Sequence, residues 1–243
     1  MAAVKGGIRP RPLPSWRVWA PYAFMAVVFG TAFAALMAVL SGALGFAGRL
    51  VLAATVVSGW EYALRRYWPG PSSLEHEFST LGDVFCFAVV PALLLHQLAF
   101  RGWGLLGLLT VFAVVFGATI RLSLYKLFNP RGARRGFIGL PLTVTAGFIA
   151  AVAQVLPPET VGVAHRLVLA AAALGLTFLT VSPIPYPNPA ERPVILLVLA
   201  GLAASVFAGP PLSRWAAALL LAGGGAYILL APWGAAKGGK VHA

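Results

Sequence analysis

The chain has 243 residues, of which 60% are hydrophobic and 10% charged, and its mean hydropathy is +0.87. Long apolar runs repeat along its whole length, which excludes a soluble globular domain and points to a multi-pass membrane protein. The formal charge of +12 comes without any basic–aromatic nucleic-acid motif, so no nucleic-acid partner is expected; basic loops facing anionic lipid account for it. Cys86 is the single cysteine and stands in an apolar run, so there is no disulfide framework.

About 20 apolar residues cross the hydrocarbon core as a helix. The N-terminal segment, 1–19, is basic and has no convincing small-residue cleavage site, so the first span is expected to be retained. Apolar windows predict spans at 20–40, 44–64, 79–98, 103–125, 137–156, 163–182, 193–208 and 212–231, the seventh being short. Proline and glycine mark the breaks: Pro69-Gly70-Pro71, Asn129-Pro130-Arg131-Gly132, Pro157-Pro158, Pro183 through Pro189, and Gly209-Pro210-Pro211. The expected fold class is an all-α integral membrane bundle of about eight transmembrane helices.

Charge sets the orientation. With the N-terminus inside, the inner segments hold Lys5, Arg9, Arg11, Arg17, Arg65, Arg66, Lys126, Arg131, Arg134, Arg135, Arg192, Lys237 and Lys240. The outer loops hold Arg49, Arg101, Arg166 and Arg214, and Arg121 falls within the fourth span. That asymmetry predicts a plasma (inner) membrane protein with both termini, including the tail 232–243, in the cytoplasm.

Four of the six carboxylates, Glu61, Glu75, Glu77 and Asp83, lie close together in the sequence across the second helix junction. A carboxylate at a membrane edge is costly unless it is paired, hydrated or bound to a cation. Pairing with Arg65 and Arg66 at the headgroup level accounts for Glu77; Glu61 and Asp83 point to a site. Ser58 and Glu61 share a face of the second span, and Glu75, Ser79 and Asp83, four apart, form one stripe on the third. Oxygen donors on two facing helices can hold Mg2+, a hard cation. Such a site suits transfer of a phosphate-containing group, because it neutralises a pyrophosphate leaving group. Ser58 and Ser79 also fit as small interhelical packing residues, and His76 with Glu75 and Glu61 is an alternative donor set for a transition metal.

The stretch from Leu50 to Asp83 resembles the signature of the CDP-alcohol phosphatidyltransferases, D-x-x-D-G-x-x-A-R, eight residues, then G-x-x-x-D-x-x-x-D. Aligned without gaps, Ser58, Glu61, Ser79 and Asp83 fall on the four aspartates, Tyr62 and Glu75 on the glycines, Arg65 on the alanine and Arg66 on the arginine. Only Arg66 and Asp83 keep the residue type. The flanks are closer. Phe78 to Leu95, Gly117 to Leu124, Phe137-Ile138-Gly139-Leu140-Pro141 with Ala146-Gly147, and Leu179 to Pro187 resemble, in order, segments of bacterial phosphatidylserine synthases.

The resemblance implies a phosphatidyltransferase-like core over 20–190, followed by two helices within 191–231. It implies CDP-diacylglycerol and a small alcohol such as serine as substrates, with membrane lipids around the bundle and room for a homodimer. It also implies Mg2+ or Mn2+ held by Glu61, Asp83 and the positions of Ser58 and Ser79, with Glu75 as an added ligand. Asp83 would be the general base toward the alcohol; Arg66 and Arg121 would hold substrate. The departures imply a depleted metal site, and Tyr62 replaces the glycine that lets a nucleotide approach the backbone. A catalytically silent, lipid- or partner-binding homologue is the rival expectation.

Overall fold

A computed structural model of the chain describes residues 16–64, 73–128, 137–186, 194–209 and 211–237. Its helices are α1 (Trp16–Leu40), α2 (Leu44–Leu64), α3 (Ser73–Val84), α4 (Val90–Leu95), α5 (Gly104–Phe128), α6 (Leu142–Val155), α7 (Val163–Val181), α8 (Val194–Phe207) and α9 (Leu212–Lys237). A π-turn, Phe85–Val89, joins α3 to α4, and a second, His96–Phe100, follows α4. Residues 73–100 therefore form one rod, the third predicted span. It begins at Ser73 rather than at residue 79, so Glu75 stands in its first turn.

Among the described residues, five helices are long and apolar enough to cross a membrane: Trp19–Leu40, Glu77–Phe100, Gly104–Leu124, Val163–Val181 and Leu212–Leu230. The other three predicted spans correspond to α2, α6 and α8. Both α6 and α8 have 14 residues, or about 21 Å of helix against a hydrocarbon core of about 30 Å. α2 carries Arg49 and Glu61 within its length. The architecture is that of an integral membrane helical bundle.

Alanine determines how the helices meet. α1 packs on α2, α2 on α6, α6 on α9, α5 on α7 and α8 on α9. Ala32 and Ala35 of α1, Ala47 and Ala54 of α2, and Ala146 and Ala150 of α6 are fully buried. Small side chains let backbones approach closely where no water drives association. Gly48 takes this furthest: a Cβ there would press on the carbonyl oxygen of Ala150 across the α2–α6 contact. The outward faces carry the large apolar residues, among them Phe33, Leu105, Phe112, Phe178 and Leu219, as expected for surface that meets lipid tails.

The fifth predicted span needs correction at its start. Phe137–Ile138 (β1) is not helical; it pairs antiparallel with Pro185–Tyr186 (β2), Phe137 opposite Tyr186 and Ile138 opposite Pro185. Gly139 then turns the chain at φ +76°, and Pro141 in extended conformation caps α6. Gly139 N–H donates to Ile184 O at 2.8 Å and Leu140 N–H to Leu179 O at 3.0 Å. A Cβ on Gly139 would overlap the Thr180 carbonyl oxygen, so glycine is needed there for both conformation and space. Leu140 and Tyr186 are buried beneath this latch, and the Tyr186 hydroxyl donates to Ile228 O at 3.4 Å. Burial pushes the Tyr186 phenol above its ordinary pKa. Two segments that resemble one family, Phe137 to Pro141 and Leu179 to Pro187, are thus bonded to each other.

Candidate functional site

α2 and α3 present their polar residues to one another. Ser58 sits one turn before Glu61 on α2, and Ser79 one turn before Asp83 on α3. All four line a single cleft, whose remaining walls include Met25, Val28 and Phe29 of α1. Glu61 is 6% exposed, while Ser58, Ser79 and Asp83 are half-buried. Glu61, Ser79 and Asp83 each have an interaction partner, as a carboxylate withdrawn from water requires.

α1 seals the cleft on one side. Phe29 stacks on Phe85 with ring centroids 4.7 Å apart, and the Cys86 thiol donates to the Val28 carbonyl at 3.8 Å. Cys86 is fully buried, which fits a structural role in the seam between α1 and the π-turn that follows α3. Sequence reasoning missed the α1 residues, because an apolar side chain in an apolar span carries no signal that it faces a cleft.

The cleft measures about 20 Å3. A space of at least about 10–15 Å3 holds one water, so the described part of this cleft admits a water or a bare ion. Its oxygen donors are two carboxylates and two hydroxyls, beside the sulfurs of Met25 and Cys86. That set suits a hard cation such as Mg2+ or Mn2+. Among the described residues no group of three or more His, Cys, Asp or Glu gathers as a metal site.

The other expected site residues are placed as follows. Glu75 lies on the same face of α3 as Ser79 and Asp83 by its position in the helix; its side chain and that of His76 lie outside the description. Arg66 lies outside the described residues. Arg121 of α5 is 7% exposed, inside the bundle rather than snorkelling at the lipid surface, and does not line this cleft.

No family model matches the chain. Over 98 residues it is 31% identical to the CDP-diacylglycerol–serine O-phosphatidyltransferase of Helicobacter pylori, a stretch covering 40% of this chain and 41% of that protein. The chain thus spans about two fifths of the length of this curated relative. The similarity supports the CDP-alcohol phosphatidyltransferase family that the motifs resemble.

Proposed function

We propose that the chain is a phosphatidylserine-synthase-like CDP-alcohol phosphatidyltransferase that moves a phosphatidyl group from CDP-diacylglycerol to a small alcohol such as serine. The observation that carries this reading is the convergence of Ser58, Glu61, Ser79 and Asp83, four positions of one spaced signature, on a single cleft between two helices. The similarity to a phosphatidylserine synthase supports the same reading from outside the cleft.

In this reading the acceptor hydroxyl oxygen bonds to the phosphorus that carries the diacylglycerol, and the bond from that phosphorus to the oxygen of CMP breaks. CMP leaves with the bonding pair, and the hydroxyl proton passes to the Asp83 carboxylate. A positioned base of this kind contributes roughly 10²–10⁴-fold. Glu61 and Asp83, with the Ser58 and Ser79 hydroxyls and Glu75, would hold Mg2+ or Mn2+, which when bound neutralises charge on the pyrophosphate. Arg66 and Arg121 are the cations proposed to hold substrate phosphates. Eight crossings, with both termini in the cytoplasm of a plasma-membrane protein, put the cleft at the cytoplasmic edge, where soluble alcohols arrive. The core spans 20–190, with two further helices within 191–231.

The second reading is a catalytically silent homologue that binds lipid or a partner. Two observations favour it: hydroxyls stand at two of the four aspartate positions, and Tyr62 stands where the signature has a glycine. One assay separates the readings. CMP release is measured with CDP-diacylglycerol, Mg2+ or Mn2+ and a panel of alcohols. The transferase reading expects release that depends on one acceptor and is lost in Asp83→Asn, with the melting temperature kept. Absence of release with every acceptor and either metal would establish the silent homologue.

A further inference from the structure

A second cavity, of about 440 Å3, opens at the other end of α2. Arg49 lines it, and Arg49 and Glu61 stand at positions 49 and 61 of that helix, about 18 Å apart along its axis at 1.5 Å per residue. The cavity and the acid cleft therefore face opposite ends of the bundle. The volume lies in the usual range for small-ligand sites, roughly 300–1,000 Å3.

Its polar residues come from three separate parts of the chain. α2 supplies Arg49; α6 and the turn after it supply Gln154 and Glu159; the start of α9 supplies Ser213 and Arg214. Arg49 Nη2 donates to Ser213 Oγ at 2.9 Å, and Ser213 is 1% exposed. One guanidinium is therefore fixed by a buried hydroxyl, using one of its five N–H donors. Arg214 and Glu159 are exposed at the rim.

Gln154 is the informative residue. It is 7% exposed, and both its amide nitrogen and its amide oxygen are buried without a hydrogen-bond partner among the described residues. Buried amides are nearly always bonded, and leaving one unmet is unfavourable. A glutamine in this state lines a cavity with two arginines, and a turn of its side chain would bring the unmet amide to an oxygen-rich ligand.

Charge and shape narrow that ligand. Arg49, Arg214 and Glu159 sum to one net positive charge, which matches a monoanion rather than a phosphate dianion or a polyphosphate. Phe46 lines the mouth and is 57% exposed, an apolar flank beside the anion-binding groups. A ligand with a singly charged head and a hydrocarbon tail satisfies both.

We propose that this cavity binds a phospholipid headgroup, with the phosphodiester between Arg49 and Arg214, a hydrogen bond from the Gln154 amide, and an acyl chain passing over Phe46. Inorganic phosphate shares the oxyanion chemistry but has a second charge facing Glu159 and no tail. The site is separate from the acid cleft, and its lipid lies in the opposite leaflet. The proposal does not rest on the transferase reading.

The test is native mass spectrometry of the full chain in detergent, titrated with phosphatidylglycerol, diacylglycerol and inorganic phosphate. Phosphatidylglycerol should form a saturable adduct, and Arg49→Gln and Arg214→Gln should each weaken it about tenfold, the size of one hydrogen bond to a charged group. Gln154→Leu removes the amide at nearly constant volume. It should weaken the adduct several-fold while leaving the lipid-free melting temperature equal or higher, a combination that a purely structural glutamine would not give. Asp83→Asn should leave the adduct intact. Four results would overturn the proposal: an undiminished adduct in both Arg49→Gln and Arg214→Gln, equal binding of diacylglycerol, displacement of the lipid by equimolar inorganic phosphate, or loss of the adduct in Asp83→Asn.

Discussion

Gly48→Ala measures how tightly α2 and α6 are pressed together. The added Cβ would fall 2.5 Å from the Ala150 carbonyl oxygen and 3.3 Å from Gln154 Cγ, where ordinary contact starts at 3.4 Å. The side chain of Gln154 can yield; the Ala150 backbone cannot, so the helices must part by about 1 Å. Overpacking of this kind costs about 1–3 kcal/mol, partly offset by about 1 kcal/mol from replacing a helical glycine with alanine. For a chain of this size each kcal/mol moves the melting temperature by about 2–4 °C. The expected loss at the upper end is therefore about 2 kcal/mol, or roughly 4–8 °C. Gly59→Ala on the same helix is the matched control. Nothing lies within 4 Å of its Cβ, so only the propensity gain remains and stability should rise by about 1 kcal/mol. Thermal unfolding followed by circular dichroism in one detergent compares the two. Melting of Gly48→Ala at or above that of Gly59→Ala would refute the close approach of α2 to α6, and with it the frame that places Ser58 and Glu61.

Other outcomes follow from the same structure. Gly139→Ala forces a side chain into φ +76° and onto the Thr180 carbonyl; strain and overlap together should cost about 2–4 kcal/mol, visible as the largest melting loss among single glycine variants. Ser58→Asp with Ser79→Asp adds two carboxylates to a cleft that holds Glu61 and Asp83, so Mn2+ affinity by paramagnetic resonance titration should rise at least tenfold; unchanged affinity would show that the four positions do not converge on one ion. Reporter fusions after residue 132 and after Lys237 should both read cytoplasmic, since basic segments flank an even number of crossings; a periplasmic signal at either would reverse the orientation.

Much of the bundle was legible because lipid imposes a simple rule on sequence: a run of apolar residues, then a proline or glycine break. The windows 44–64 and 163–182 fall within a residue of α2 and α7. The acid cleft was legible for a different reason. Ser58, Glu61, Ser79 and Asp83 recur at helical spacing on two neighbouring helices, so local periodicity brings them to one face. The β1–β2 latch was not, since a pair of residues such as Phe137 and Ile138 shows no alternation and its partner lies far along the chain. Nor was the far cavity: Arg49, Gln154 and Ser213 come from three helices, and each read alone is an ordinary interfacial polar residue. The wall made by Met25 and Phe29 was hidden because every face of α1 is apolar.

The π-turn at Phe85–Val89 sets the phase of the third rod. Such a turn holds one residue more than an α-helical turn, which rotates everything beyond it by about 100° relative to regular winding. On the near side, Leu81 is exposed while Ser79 and Asp83 face the cleft. On the far side, Cys86, Phe87, Ala88, Val90, Pro91 and Ala92 are buried, and Leu93 alone among residues 86–95 is exposed. The rod is thus two shafts joined by a clutch, one seated in the bundle and one carrying the acids. Deleting a single residue from the joint would leave the seated shaft in place and swing the acid stripe off the cleft. Inheritance of the carboxylates at positions 75 and 83 is then not enough to keep such a site; the one-residue excess between the shafts has to be inherited with them.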